Sequence, residues 1–433
     1  MVYLSSGWEA DQIPTGIQRV ARSDGRAICS CGCTAPEIPN LSRHFFVLAA
    51  CRLLHEAKEE HIMAKIQKTP FHAVGEKMGA DMRELFGYYL PWHYNPGPEA
   101  EHLATRDKAS LCDLHYMAEF SVSGPDALKF VQQVATANVS ELKPGSIKYS
   151  TFCNAEGQMI DDGTIWCFEP DEYMLITGDE TDFSWFQEQA DRFDVSIKNE
   201  TDQHTTLALQ GPNSRQVLQQ VTSAPINDIK YYKFIKGDVA GVACVIARMG
   251  YTGEFGFELH CDPEEAEKVW NALFEAGEKH GLVPLGQCGL ESVRQEAGYV
   301  LVGNEHNKQT NPLEAGLGWT VDFNKPDFCG KAALEKIRDQ GINRTLVWFD
   351  VLDGTVMSTG DAVIAGGKEI GRVTSGSYSP DRKKGTAMAY VAPEYAISGV
   401  CYDLKDKAAI HSAKLSLVPL FDPCKVRSRT FVR

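Results

Sequence analysis

Two stretches of this chain repeat one design. "GPDALKFVQQV" (124–134) and "GPNSRQVLQQV" (211–221) each follow an alternating run, "AEFSVS" and "TLALQ". Alternation places successive side chains on opposite faces of a strand. Gly-Pro then ends the strand, and Asp126 or Asn213 stands where a helix N-cap belongs. The shared Gln-Gln-Val ending argues against two unrelated turns. The chain is therefore expected to be α+β, with one strand-to-helix unit in each half of a pseudo-repeated body. At 433 residues it also exceeds one ordinary core, since domains run to roughly 100–200 residues.

The stretch "DPEEAEKVWNALFEAGEK" predicts a helix with Asp262 as N-cap, Pro263 at the first turn and Glu265 completing a capping box. Ala266, Val269, Trp270, Leu273 and Phe274 fall on one face at helical spacing, so that stripe is core. Beyond about residue 340, short apolar runs with Gly turns, such as "EIGRVTSGSYSP", predict a separate small β-barrel or sandwich over 341–433. Residues 63–340 form the body.

Residues 1–62 differ from the rest and are read as an appended extension, because Met63-Ala-Lys resembles an ordinary start. Neither a secretory signal nor a transit peptide fits them, for want of a basic flank before an apolar core and because acidic residues are present. Cys29, Cys31 and Cys33 in "CSCGC" lack the paired spacing and fourth ligand of structural zinc, so no metal site is expected. Thirteen scattered cysteines suit reduced thiols and a cytoplasmic or matrix-like compartment. A net charge of −15 opposes broad attraction to nucleic acid or anionic lipid. No run approaches the roughly 18 apolar residues of a membrane span.

Two stretches carry chemistry. "SLCDLHYMAEF" sets Asp113, His115 and Tyr116 at the mouth of an apolar run. "RMGYTGEFGFELH" displays Tyr251 and Glu254 from a turn in which Gly250, Gly253 and Gly256 permit close backbone approach. That glycine spacing is not the dinucleotide fingerprint, and no helix follows it closely.

Taken in order, "FGYYLPWHY", "LCDLHYM", "YSTFCNAEGQMIDDG", "YYKF", "GYTGEFGFEL", "QTNPLEAGLGWTVDF", "FCGKAALEK" and "VTSGSYSP" resemble the glycine cleavage system T-protein (aminomethyltransferase) family, which includes tetrahydrofolate-dependent demethylases. The resemblance spans about residues 69–433. It implies a three-domain ring with tetrahydrofolate in its central hole, the pterin deep and the glutamate tail outward. It implies Asp113 as the catalytic carboxylate and Glu254 as the partner of the pterin edge, with Tyr251 in the same motif. It also implies Asn154 and Tyr149 along the folate channel.

Two departures bear on substrate. His115 and Tyr116 stand where these proteins usually carry Ser and His, which makes both candidate substrate contacts. Leu290 stands where an arginine is usual, while Arg294, one turn later, is retained as a candidate folate contact. Three functions follow from the resemblance. One is aminomethyl transfer from a lipoyl H-protein to tetrahydrofolate. Another is demethylation of a small N-, S- or O-methyl compound. The third is a non-enzymatic folate-binding role in iron–sulfur maintenance, whose Lys-Gly-Cys motif this chain lacks.

Overall fold

The computed structural model describes residues 66–416 and 419–429. The 1–62 extension, with its three clustered cysteines, lies outside the described residues. From Ile66 onward the chain is one compact unit.

A three-stranded sheet opens it, formed by β1 (Gln67–Lys68), β2 (Asp81–Leu85) and β3 (Tyr88–His93). A six-stranded sheet then starts with β4 (Ala109–Asp113) but is completed much later, by β10 (Thr205–Gln210), β11 (Phe234–Val239), β12 (Val242–Ala247), β13 (Gly256–Cys261) and β14 (Leu282–Leu285). Its order is β11-β12-β13-β10-β4-β14. Between β4 and β10 the chain builds a five-stranded antiparallel sheet from β5 (Ala118–Ser123), β6 (Ser146–Cys153), β7 (Met159–Glu169), β8 (Glu172–Thr177) and β9 (Ser196–Asn199), ordered β6-β7-β8-β5-β9. The body thus has two interleaved sheets. A closed barrel follows, made of β15 (Thr345–Val351), β16 (Ala362–Ala365), β17 (Lys368–Ser379), β18 (Lys384–Val391), β19 (Cys401–Lys405) and β20 (Ile410–Ser416). The α+β body and the C-terminal barrel are as the sequence predicts.

Both halves of the repeat form strand–turn–helix units. β5 leads to the helix Ala127–Val134 and β10 to the helix Ser214–Leu218. Their caps differ from expectation. At Asp126 and Asn213 the backbone is already near-helical, so neither side chain bonds the first turn. Asp126 instead accepts from the Asp194 N–H and pairs with Lys129, while Asn213 donates to the His280 carbonyl. Asp262 does cap, accepting from the Glu264 N–H at 2.8 Å. Its first turn is a tight Pro263–Glu265 segment in which Glu265 pairs with Lys268, so the capping box is replaced by an ion pair.

Strand alternation decides which side chains meet between the sheets. On β13, Phe257, Leu259 and Cys261 pack against Val269, Trp270 and Leu273 of the helix Ala266–Gly277, as its apolar stripe predicts. Glu258 and His260 must then face the other way. On β7, Ile165 and Cys167 pack beneath Phe130 and Phe186, which turns Asp162, Thr164 and Trp166 to the opposite face. There Trp166 joins Ile147, Met174, Ile176, Phe234, Ala247 and Met249. The rings of Trp166 and His260 lie 4.8 Å apart. The inner faces of the two sheets meet at this line, where a few polar groups interrupt an apolar layer.

Candidate active site

Asp162 sits at that interruption with both oxygens engaged. The Tyr149 hydroxyl donates to Oδ2 at 2.6 Å, and Nε2 of His306 lies 2.6 Å from Oδ1. The Asp162 side chain is 16% exposed, whereas the adjacent Asp161 and His306 side chains are almost completely buried. Burial pushes the phenols of Tyr149, Tyr232 and Tyr251 well above their ordinary range, and the charge of Asp162 pushes each further. Tyr149 thus contacts this carboxylate, and Tyr232 and Tyr251 lie near enough to feel its charge. Tyr251 stacks on Tyr299 at 5.6 Å, and Tyr149 stacks on the exposed Trp319 at 5.4 Å. Asp162, Tyr149, Tyr232, Tyr251 and Tyr299 are each only partly buried and Trp319 is exposed, so the group opens to solvent as a recess lined by aromatic rings.

Alternation along β13 turns Glu258 to the inter-sheet side that also holds Asp162, close enough to Tyr232 for its charge to act on that ring. The Glu258 side chain makes no hydrogen bond or ion pair with any described residue, and burial pushes its carboxyl up to about 7, with nearby His260 pulling it back. Its oxygens are not among the fully buried unpaired atoms and so keep contact with solvent, which leaves the carboxylate open to a ligand. A flat ligand offering paired N–H donors would satisfy it. Glu258 lies in the glycine-rich motif, four residues beyond Glu254. Alternation along β13 is the signal that separates the inward strand residue from the turn residue.

The turn itself is held by Gln210, whose amide donates to the carbonyls of Met249 and Phe257 and accepts from the Thr252 hydroxyl. A Cβ at Gly250 or Gly256 would fall inside that amide, which is why glycine is needed at both positions.

The other sequence candidates lie elsewhere. Glu254 is buried between Arg106, at 3.3 Å, and Arg427, at 3.0 Å; burial pushes it up to about 7 against the pull of both guanidinium groups. Each of its oxygens already has a cation. Arg294 is fully buried and engages Glu291, Glu305, Ser375 and the Tyr299 carbonyl, tying its helix to the barrel. Asn154 folds onto its own turn, accepting from the N–H groups of Glu156 and Gln158.

Asp113, at the end of β4, accepts from Thr69 Oγ1 at 2.6 Å and from the His115 N–H at 2.9 Å, and burial pushes it up to about 6. His115 contacts Thr205 Oγ1 and the edge of Tyr88, and burial lowers its pKa. Tyr116 stacks on Phe86 at 4.7 Å and donates to Gln287. Tyr116 and Tyr251 border a common apolar cluster that contains Leu290. Of the sequence candidates, then, Tyr149 and Tyr251 both lie near Asp162, while Asp113, His115 and Tyr116 gather at the end of β4, with Tyr116 bordering the same apolar cluster as Tyr251. Asp162 lies in the stretch "YSTFCNAEGQMIDDG", where nothing local sets it apart, because only the fold brings a tyrosine and a histidine to it.

Among the described residues, Asp161, Asp162 and His306 are the one group spaced closely enough to hold a metal ion. Nine cysteines there are free thiols, and no helix is long and apolar enough to cross a membrane.

Residues 71–325 match the GCVT N-terminal domain and residues 344–422 the glycine cleavage T-protein C-terminal barrel domain. The chain is 40% identical over 337 residues to an aminomethyltransferase of Halothermothrix orenii, covering 77% of this chain and 94% of the relative. It is 39% identical over 350 residues to one from Bacteroides thetaiotaomicron, covering 79% and 96%. Its fold is similar to a crystal structure of glycine cleavage system aminomethyltransferase T from Bartonella henselae, with a TM-score of 0.78, 26% identity, and coverage of 83% of this chain and 99% of that one. These likenesses run through both body and barrel, and the chain belongs to the glycine cleavage T-protein (aminomethyltransferase) family.

Proposed function

We propose that the aromatic recess binds tetrahydrofolate and transfers to it an aminomethyl carbon carried on the lipoyl arm of an H-protein. The observation that carries this reading is the pairing of Glu258, a largely buried carboxylate with no protein donor to its oxygens, with Asp162, a partly exposed carboxylate, the charges of both acting on Tyr232. Glu258 accepts from the guanidine-like edge of the pterin, taking the role that the sequence suggested for Glu254. Asp162 faces the reacting nitrogens, in place of Asp113.

The chemistry requires such a group. When a thioether-bound aminomethyl carbon becomes the methylene bridge of 5,10-methylene-tetrahydrofolate, its C–S and C–N bonds break and two N–C bonds form. The protons lost from N5 and N10 end on the released thiol and on ammonia. A carboxylate beside those nitrogens accepts and passes on a proton while favouring positive charge on the carbon. Tyr149 and His306 keep its oxygens oriented, and the rings hold the acceptor in line.

Demethylation needs a proton donor for the leaving group, and His115 and Tyr116, where this chain departs from the family, are the residues that could serve. Both are engaged with protein partners, His115 with Thr205 and Tyr116 with Gln287, and burial disfavours a protonated His115.

Calorimetric titration and turnover test the proposal together. Glu258→Gln should weaken tetrahydrofolate binding by about tenfold or more, the worth of a hydrogen bond to a charged group. Asp162→Asn should bind tetrahydrofolate normally while turnover with aminomethyl-lipoyl H-protein falls by about 10²–10⁴. Unchanged affinity in the first variant or full turnover in the second removes that residue from the site. Faster turnover with a small methyl donor than with the H-protein would move the reading to demethylation.

A further inference from the structure

His306 lies on the loop after the helix Gln287–Ala297, and the fold holds that loop unusually firmly. The Gly303 N–H donates to the His306 carbonyl, and the Tyr390 hydroxyl donates to the Glu305 carbonyl at 2.7 Å. The Glu305 carboxylate accepts from Arg294, Thr374, Ser375 and the Leu301 N–H. Helix and barrel therefore fix Glu305, the residue just before the imidazole, and the Gly303 bond closes the turn on the His306 carbonyl. The ring is completely buried, with Nε2 2.6 Å from Asp162 Oδ1 and 3.6 Å from Asp161 Oδ1. Its Nδ1 is buried and has no partner among the described residues.

These contacts assign the proton to Nε2, because that atom faces carboxylate oxygens and Nδ1 faces no acceptor. We propose that His306 is a positioning residue for the transfer: it donates from Nε2 to Asp162 Oδ1 and, with Tyr149 on Oδ2, locks the carboxylate toward the bound folate. Each donor addresses one oxygen, so the carboxylate cannot turn about its last side-chain bond without losing a bond. Asp161 cannot take over this task. Its oxygens accept from the N–H groups of Asp162 and Gly178, and burial together with the Asp162 charge pushes it well above the usual carboxylate range. An apolar side chain at 306 would leave Oδ1 facing buried space with no donor, and the carboxylate would lose its fixed orientation.

This inference rests on the reading of Asp162 given above, so the experiment separates the two. Four variants are compared with the unaltered chain: Asp162→Asn, His306→Leu, His306→Gln, and Asp162→Asn combined with His306→Leu. For each, kcat is measured with tetrahydrofolate and aminomethyl-lipoyl H-protein, tetrahydrofolate Kd by calorimetry, and Tm by differential scanning calorimetry.

His306→Leu should lower kcat by about tenfold or more while Kd moves by less than about threefold. His306→Gln, whose amide N–H can reach the place of Nε2, should restore kcat to within about threefold of the original. In the Asp162→Asn background, His306→Leu should cost nothing further, because its effect passes through that carboxylate. The inference is overturned if His306→Leu keeps its kcat, if His306→Gln is as impaired as His306→Leu, or if the two changes simply add. Should His306→Leu fail to fold, as its Tm would reveal, the Gln variant still decides, since kcat near the leucine prediction would refute a donor role. Full turnover in Asp162→Asn refutes the reading of Asp162 itself, whatever His306 does.

Discussion

At the scale of single residues, position in the pleat outweighs residue type. Asp113 and Asp162 are both aspartates on strands, yet the first is closed off by Thr69 and a backbone N–H, and the second opens on a recess. Asp113 makes a test through pH. Burial pushes it up to about 6, against about 3.9 for an unfolded aspartate. Between those values the native state holds more protons than the unfolded one, so this group's contribution makes stability fall as pH rises from about 4 to about 6. The shift of roughly two units corresponds to about 3 kcal/mol, fully expressed above the folded value. Asp113→Asn can keep an oxygen for the His115 N–H and offer its amide to Thr69, and it removes that slope. Thermal melts at pH 5 and pH 7 should show the variant gaining on the original chain as pH rises, with kcat within about threefold of the original. A large loss of kcat at unchanged tetrahydrofolate affinity would return the catalytic assignment to Asp113.

At the scale of elements, the glycine-rich motif is explained by what packs on it. Its spacing suggested a displayed turn, but the turn wraps a buried glutamine, and only Gly253 of the three has positive φ. Gly250→Ala should therefore destabilise through overlap with the Gln210 amide, by about 1–3 kcal/mol as for other overpacked sites. Adding Gln210→Ala should recover part of that loss, since the smaller side chain frees the space. Melting of the single and double variants checks this, and equal loss in both would mean that the glycine serves backbone conformation instead. The helix caps teach a related lesson. Asp126 and Asn213 occupy cap positions, as the motif suggested, but a near-helical backbone there aims their side chains at neighbouring segments.

At the scale of the whole molecule, the helix Gln287–Ala297 joins body to barrel through buried polar side chains. Arg294 reaches Ser375, Glu296 accepts from Ser379, and Gln295 accepts from Thr386. Removing Arg294 leaves Glu305 buried beside its lost cation, a situation that costs about 3–5 kcal/mol elsewhere. Arg294→Met should lower Tm and weaken the cooperative melting of barrel with body, as calorimetry would record. If Arg294 held the folate tail, the same change would raise the tetrahydrofolate Kd and leave the melting profile intact.

The amino-acid sequence by itself determined the repeat of strand and helix, the apolar stripe of the helix Ala266–Gly277, the barrel that follows the body, and the family, because local periodicity and ordered motifs are written along the chain. Only the tertiary structure decided which acids face one another. Glu254 and Glu258 sit four residues apart in one motif, and the fold gives one to two arginines and leaves the other open. His306 reaches Asp162 across a separation of 144 residues. A carboxylate's role depends on the donors and the water around it, and those neighbours come from strands and loops far away in sequence, so no local pattern encodes them.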